Sequence, residues 1–492
     1  MNNQNNTEVY SYHTFLFPFL YIENKKSSFS SFFDKNERWE NTNLSFDSSG
    51  EFNKNKKIKD EKDKILDYAL YQYFNFPTRK VIFGEDNDIV KNYLLFDKNK
   101  TEKFSGKYII EKDNETFKLN LYSIKLKIFN TGVGVLIFEL ENYNYRDIES
   151  VKKINEYGRR VAVPFIVNAN DKNCFLCADK ITIKSNSEEL AVAKIKEDFE
   201  TIKSNDMIYT KGTYHYISDV VKEIFNIGAE EKDFNFGESI KKADKKKFDI
   251  IPVIDDRMFV ACIIRDAGFV SIIKGNSEYD YKSDFKKLKK LYALSFIDVG
   301  DATCQNKYMI KDLLNKHIYD RWIEYGTIHA ITHHSLICVT GDDDFLKDTV
   351  INPFLTQYIE MAIISIVQRA SMIKFSKQAS EISTKYKKSK NKIIKEIISL
   401  QEDYTAFKNQ LLLFELTPQE QGIEIYEMLK DSLYISRESD GIESQIQNLY
   451  EVANVRQQYN FNKIALIISL VAALLTVLSL KDIVELIIQW ME

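Results

Sequence analysis

From Ile464 to Leu480 the chain reads IALIISLVAALLTVLSL, seventeen residues without a charge. A helix of that length measures about 25 Å, a little short of the ~30 Å hydrocarbon core of a bilayer. Lys463 and Lys481 bracket it, and long ammonium side chains reach headgroups from such positions. No Gly or Pro occurs between residues 442 and 492, so nothing interrupts a helix that starts before the apolar run. Ahead of it, Ile442, Ile446, Leu449 and Ala453 recur at steps of four and three, the spacing of a helical seam. The pattern predicts one helix of about forty residues, a polar stalk that becomes a membrane segment.

The other residues must form a water-facing body, since the mean hydropathy of the whole chain is −0.33. The 492 residues allow two to four domains, and 44% hydrophobic with 13% aromatic content supplies a core. Lys+Arg 68 against Asp+Glu 72 leaves a net charge of −4. That balance argues against a basic nucleic-acid coat or a polybasic membrane binder, and no direct nucleic-acid binding is expected. Gly 16 and Pro 6 are few, which favours long uninterrupted elements. Cys174, Cys177, Cys262, Cys304 and Cys338 are odd in number and scattered, unlike a disulfide framework. The lone CxxC, Cys174 to Cys177, reads as a pair of small apolar residues in a strand rather than half a zinc site. Met1 to Asn6 has no basic start and no cleavage signature, so no secretory signal is expected. The body is expected on the cytoplasmic side of a bacterial inner membrane, with Arg456 and Lys463 on the inner flank; the Lys-, Asn- and Ile-rich usage suggests the bacterial source.

Periodicity divides the body. His13 to Tyr21 is an aromatic strand interrupted at Pro18, and 65–76 is a helix ending before Pro77. Ile124, Leu126 and Ile128 alternate with lysines, and Val135 to Leu140 is a more buried strand. Between them Gly132 and Gly134 suit a hairpin turn. Helices are expected at 146–159, 187–204, 215–226 and 307–324, strands at 176–184, 250–254, 258–264, 269–273 and 335–340, and polar loops at 41–64 and 228–248. No regular βαβ repeat emerges, so the fold class is α+β, a mixed soluble domain followed by long helices. From about 351 the pattern becomes helical, at 354–380, 389–415 and 418–433, with Thr417-Pro418-Gln419-Glu420 as a capping box. The organisation read from sequence is an α+β ligand-binding domain at 1–350, a helical region at 351–435, and a stalk and transmembrane segment at 436–492.

A stalk that turns into a C-terminal membrane helix through Tyr450-Glu451-Val452-Ala453-Asn454-Val455-Arg456-Gln457-Gln458-Tyr459-Asn460-Phe461-Asn462-Lys463 resembles the CorA family of divalent-cation channels. The family's Gly-Met-Asn motif is absent; Ser479-Leu480-Lys481-Asp482 stands there. The second membrane helix is missing or stunted, since Ile483 to Trp490 is short and carries Glu485. The segments Thr131-Gly132-Val133-Gly134-Val135, Ile154-Asn155-Glu156-Tyr157-Gly158-Arg159-Arg160 and Tyr325-Gly326-Thr327-Ile328 resemble a narrower group, the CorA-like membrane effectors of type III CRISPR systems. The resemblance implies a homo-oligomeric antiviral effector or channel gated by a nucleotide second messenger, in some members AMP joined to S-adenosylmethionine. A CorA-type cation transporter and a tail-anchored, non-conducting adaptor are the alternatives.

Candidate site residues carry two readings each. Arg159 and Arg160 suit a phosphate, because guanidinium forms paired bonds without losing charge; equally, they complement a helix C-terminus and pair with Glu156. Asp255 and Asp256 read as turn residues, or as acceptors for a ribose hydroxyl or a ligand amine. His329, His333 and His334 form HxxxHH, in which His329 and His333 would share a helix face, but their flanks read as strands, and no metal site is expected. Asp342 to Asp344 lacks the later ligands of a calcium loop. No nucleophile with a placed base, phosphate-cradling loop or enzyme motif is present, so neither catalysis nor a resident cofactor is expected. In the membrane segment Asn462, Ser469, Thr476 and Ser479 fall near one face, and polar groups in lipid turn toward a partner helix or water. That face is either a packing seam between helices or the lining of a pore in a cyclic homo-oligomer.

Overall fold

The computed structural model describes residues 8–24, 28–46, 52–53, 68–85, 89–161, 176–194, 217–230, 233–237, 246–255, 257–274, 284–386 and 390–491. Its strands, in chain order, are β1 (Ser11–Glu23), β2 (Trp39–Asn41), β3 (Ser45–Phe46), β4 (Phe52–Asn53), β5 (Val90–Leu95), β6 (Gly106–Lys112), β7 (Glu115–Phe129) and β8 (Val133–Asn142). They continue with β9 (Lys180–Lys184), β10 (Glu189–Ala193), β11 (Phe234–Phe236), β12 (Phe248–Pro252), β13 (Phe259–Arg265), β14 (Ile318–Tyr319), β15 (Ile328–Ile331) and β16 (Ser335–Thr340). The fold mixes helices with one large sheet, whose main path runs β10-β9-β6-β7-β8-β1-β13-β16-β15-β14. Pairing is antiparallel except for β13 with β16 and β11 with β12.

β1 is the axis of this sheet. Phe15, Leu16, Phe17 and Phe19 are fully or almost fully buried. Pro18 does not end the strand as the sequence suggested. Along one edge β1 pairs continuously with β8, from Ser11 opposite Asn142 to Leu20 opposite Val133. Along the other it pairs with β13 up to Leu16 opposite Phe259, then with β12 from Phe19 opposite Pro252. The Tyr21 N–H donates to Gly132 O at 3.0 Å, so odd-numbered amides face β8 and even ones the other edge. Pro18, which lacks an N–H, therefore sits where that edge has no partner strand.

The expected hairpin is β7–β8, with longer arms than the periodicity indicated. Gly132 takes φ +81° in the turn, as only glycine does readily. Gly134 is needed for space instead, because a Cβ there would lie 2.2 Å from Cζ of Phe19. Phe19 is held by Phe17, Phe29 and Phe225 and cannot retreat.

Several local expectations change. Residues 269–273 belong to a helix, Ala267–Lys274, started by Asp266, whose carboxylate accepts from the Phe269 N–H at 2.8 Å. Of the helix expected at 187–204, the described part is instead strand β10, which adds to β9. The helix from 307 stops at His317, because Ile318 and Tyr319 pair with β15. Helix resumes at Phe76–Phe83 with Pro77 in its first turn. The capping box does not form as expected: the helix starts at Glu420, and the Thr417 hydroxyl donates to Tyr73 O at 2.6 Å.

The chain falls into two compact units, residues 1–373 with 407–436, and residues 374–406 with 437–492. The helical region expected at 351–435 is thus divided between them. Its first part lies with the sheet because Met361, Ala362, Ile363, Ile364, Ile366 and Val367 are buried, and the Gln368 amide donates to Leu411 O and the Tyr426 hydroxyl. In the second unit the helices Ile359–Tyr386 and Lys390–Gln410 contribute Phe375 and Tyr404, whose rings meet edge to face. The Tyr404 hydroxyl donates to Ser439 O at 3.1 Å.

Among the described residues two helices are long and apolar enough to cross a membrane, by length and composition. In Asp344–Lys385, 67% of the most apolar window is buried, so it is a core helix; in Ile435–Met491 none of it is. This terminal helix runs 57 residues, and 483–490 continue it without a break.

Gly134→Val is expected to destabilise the protein by about 1–3 kcal/mol through overpacking against Phe19, read as a lower thermal midpoint. Gly134→Val in a Phe19→Leu background should recover part of the loss. An unchanged midpoint in the single variant would contradict the close approach.

Candidate functional site

The chain between β12 and β13 makes no ladder pairing opposite Pro18, and this bulge carries, among the described residues, Val253, Ile254, Asp255, Arg257 and Met258. Ile254 takes φ +81°, rare for a β-branched residue and a mark of stored strain. The helix Ile148–Gly158 ends against this bulge. Arg160 and Arg257 form an isolated antiparallel bridge, and the Met258 N–H donates to Arg159 O at 2.8 Å. The structure therefore brings Arg159, Arg160 and Asp255 together; Asp256 lies outside the described residues.

Glu156 organises the two arginines. One carboxylate oxygen accepts from Nε (3.0 Å) and Nη2 of Arg159, and the other from Nε (3.2 Å) and Nη2 of Arg160. All three side chains are at most 5% exposed. One carboxylate thus faces two guanidiniums in a buried place, and Nη1 of Arg159 has no hydrogen-bond partner. Burial, ahead of the opposing pull of Glu156, lowers the Arg159 pKa to about 10. The pairing with Glu156 was one of the two sequence readings, and it claims most of the donors that a phosphate would use.

Beside it lies a second closed set. Arg257 donates from Nε to Asp255 Oδ2 at 2.7 Å and from Nη2 to His334 Nε2 at 3.1 Å. Since guanidinium only donates, Nε2 of His334 accepts and the ring proton sits on Nδ1, 3.2 Å from Asp255 Oδ2. Burial first, then Arg257, pushes the His334 pKa down to about 3. The crevice lined by Ile254, Asp255, Arg257, His333, His334 and Leu433 holds about 10 Å³, room for one water. His333 Nδ1 meets Ser432 O at 3.0 Å, and Arg369 donates to Leu433 O at 2.5 Å. The site thus adjoins the residues from which the terminal helix starts.

The sequence did not connect His334 or Arg257 with the arginine pair. Their partnership depends on β13 and β16 lying side by side, which no local spacing reports. The three histidines do not converge. His329 is buried among Tyr319, Phe354 and Tyr358, and neither ring nitrogen has a hydrogen-bond partner. Among the described residues no group of three or more His, Cys, Asp or Glu side chains could hold a metal ion. Asp343 caps a helix by accepting from the Leu346 N–H. Cys262 lies 3.6 Å from His13 Nδ1, but it is wholly buried and its thiol is pushed up to about 12 by desolvation. Cys174 lies outside the described residues.

Asn462, Ser469, Thr476 and Ser479 are all exposed on the terminal helix. The three hydroxyls donate to carbonyls of their own helix, at Ala465 (2.8 Å), Ala472 (2.8 Å) and Thr476 (2.9 Å).

No protein-family model matches the chain, and no characterised protein or solved structure is significantly similar to it.

Glu156→Gln leaves two buried guanidiniums without their counter-charge and is expected to cost about 3–5 kcal/mol, measured by thermal or urea unfolding. Equal stability would show that the guanidiniums are solvated. Acid should weaken the fold for a separate reason. Burial lowers His13 and His329 to about 4 and His334 to about 3, below the unfolded value near 6.5. The unfolded chain binds more protons in that window, so stability is full above pH ~6.5 and falls as pH drops toward 4. His329→Phe removes one such group without breaking a hydrogen bond. It should flatten the decline between pH 6.5 and 4.5 at no loss of stability at pH 7.5; a steeper decline would contradict the assignment.

Proposed function

We propose that the chain is a membrane effector: a ligand-responsive body on a helix that crosses the bilayer once and assembles into a cyclic homo-oligomer, as the CorA-like effectors it resembles imply. One observation carries the membrane part. From Ile464 to Met491 every described side chain of the terminal helix is exposed, with Leu466, Leu474, Leu478 and Leu486 each more than half so. A helix apolar on all sides is stable only when buried in a protein core or in a bilayer, and none of the described residues covers this one.

The ligand part rests on the arginine-rich crevice. Three guanidiniums, two described carboxylates and a neutral imidazole meet there, and one buried guanidinium nitrogen is unsatisfied. An anion, in this reading the phosphate of a nucleotide messenger, supplies the missing charge. The crevice admits only a water as it stands, so phosphate has to part Asp255 from Arg257. Occupancy and movement of the strained turn at Ile254 and Asp255 are then one event, felt at Ser432 and Leu433. Asp255 is the acceptor for a hydroxyl or amine of the ligand, with Asp256 in the same role.

Replacing Arg159 and Arg160 together by Ala would strand Glu156 and threaten the fold, so the rim is the better place to test binding. In vesicles holding the full chain, an adenylate-type messenger should release an entrapped ion. Asp255→Asn and His334→Asn should shift the required messenger concentration about tenfold or more. Thr476→Leu should reduce flux per assembly. If the chain resists alkaline extraction but never conducts with any messenger, it is an anchored adaptor; if it is released by alkali, the membrane reading fails.

A further inference from the structure

Asn462, Ser469 and Thr476 of the polar stripe on the terminal helix belong to a longer pattern that starts outside the apolar run. Counting in sevens, one set of positions holds Val452, Tyr459, Leu466, Ala473, Leu480 and Ile487. The interleaved set holds Val455, Asn462, Ser469, Thr476, Ile483 and Trp490. Steps of three and four repeat without a slip for nearly forty residues, the frame of a left-handed coiled coil. This is a different face from the one its own unit covers, where Ile442, Ile446 and Ala453 are buried.

In the stalk the frame faces water. Val452 is 49% exposed, and Val455 and Tyr459 are each 67% exposed. Lipid accounts for apolar residues inside a bilayer but not for this stretch before Lys463. Farther along, Ser469, Ala473 and Thr476 are small enough to let a facing backbone approach closely.

The flanks identify the occupant. Glu451 precedes the seam on one side and Arg456 lies on the other, five residues later. Five residues apart they lie on opposite flanks of one helix, but in two parallel helices in register each Glu451 faces the neighbour's Arg456. Gln458 and Lys463 repeat the arrangement one heptad on. Antiparallel helices would instead set Arg456 against Arg456. We infer that the face running from Val452 to Trp490 is a parallel, in-register seam that binds a second copy of this chain, zipped in the stalk by Glu451 and Arg456. This deepens the oligomeric reading above and fixes which face meets which; it does not depend on conduction.

The test uses the full chain in membranes, with Cys174 and Cys304 changed to Ser. Val455→Cys on the seam should give a disulfide-linked dimer under mild oxidation, and Gln457→Cys off the seam should give at least about tenfold less. In detergent, Glu451→Arg and Arg456→Glu should each weaken association about tenfold, and the double exchange should restore it to within about twofold. Equal cross-linking at 455 and 457, or a double exchange as weak as its parents, would overturn the seam. Glu451 is exposed and Arg456 half-buried, so the cross-linking at Val455, which alters neither charge, keeps the test independent of any loss of folding in the charge variants. A seam that holds while no ion passes would remove the channel reading alone.

Discussion

The missing amide hydrogen of Pro18 marks the place where the central strand changes partners along one edge. A central strand must find a partner for every inward N–H, and at Pro18 there is none to satisfy. The neighbouring edge can therefore change hands from β13 to β12 at that point without leaving an orphaned group. The chain joining those strands is released from that ladder, and it carries the half-buried Ile254, Asp255 and Arg257. The same strand anchors the other wall of the sheet, where Gly134 yields its side-chain space to Phe19. The position of the site follows from how the sheet accommodates one proline.

Charge inside the body is arranged asymmetrically. Glu156 serves two arginines, while Asp255, Arg257 and His334 close a triangle beside it. Low dielectric strengthens each of these contacts and also penalises the donor left over on Arg159. An excess of guanidinium over carboxylate suits an anion better than it suits stability alone, since buried ion pairs rarely improve on apolar packing. Keeping His334 neutral preserves that excess at one charge among the described residues instead of two.

Legibility in the sequence depends on whether the signal is local. The β7–β8 hairpin can be read because Ile124, Leu126 and Ile128 alternate with lysines and Gly132 sits in the turn. The terminal helix can be read because nothing breaks it. Helix Ala267–Lys274 reads wrongly as a strand because FVSII is β-branched and short, and only the Asp266 cap distinguishes the two. β10 reads wrongly as helix because ELAVA fits either period until β9 supplies an edge. Arg159 and Arg160 stand out as a pair, and Glu156 is visible one helical turn before them. His334 cannot be connected with Arg257, 77 residues away, because the link is made by parallel pairing of β13 with β16.

The hydroxyls of Ser469, Thr476 and Ser479 bond back to their own helix, and this bears on how the protein is made. A solitary helix with open hydroxyls would enter hydrocarbon reluctantly, because each unsatisfied group there is penalised. Here each copy is self-contained while alone. On the proposed reading, in which this helix spans a bilayer and meets other copies, a newly synthesised chain would partition as a single span first and find its neighbours afterwards, by diffusion in the plane of the membrane. Such back-bonding also bends helices slightly, so the spans that meet would be gently curved rods whose curvature is set before assembly.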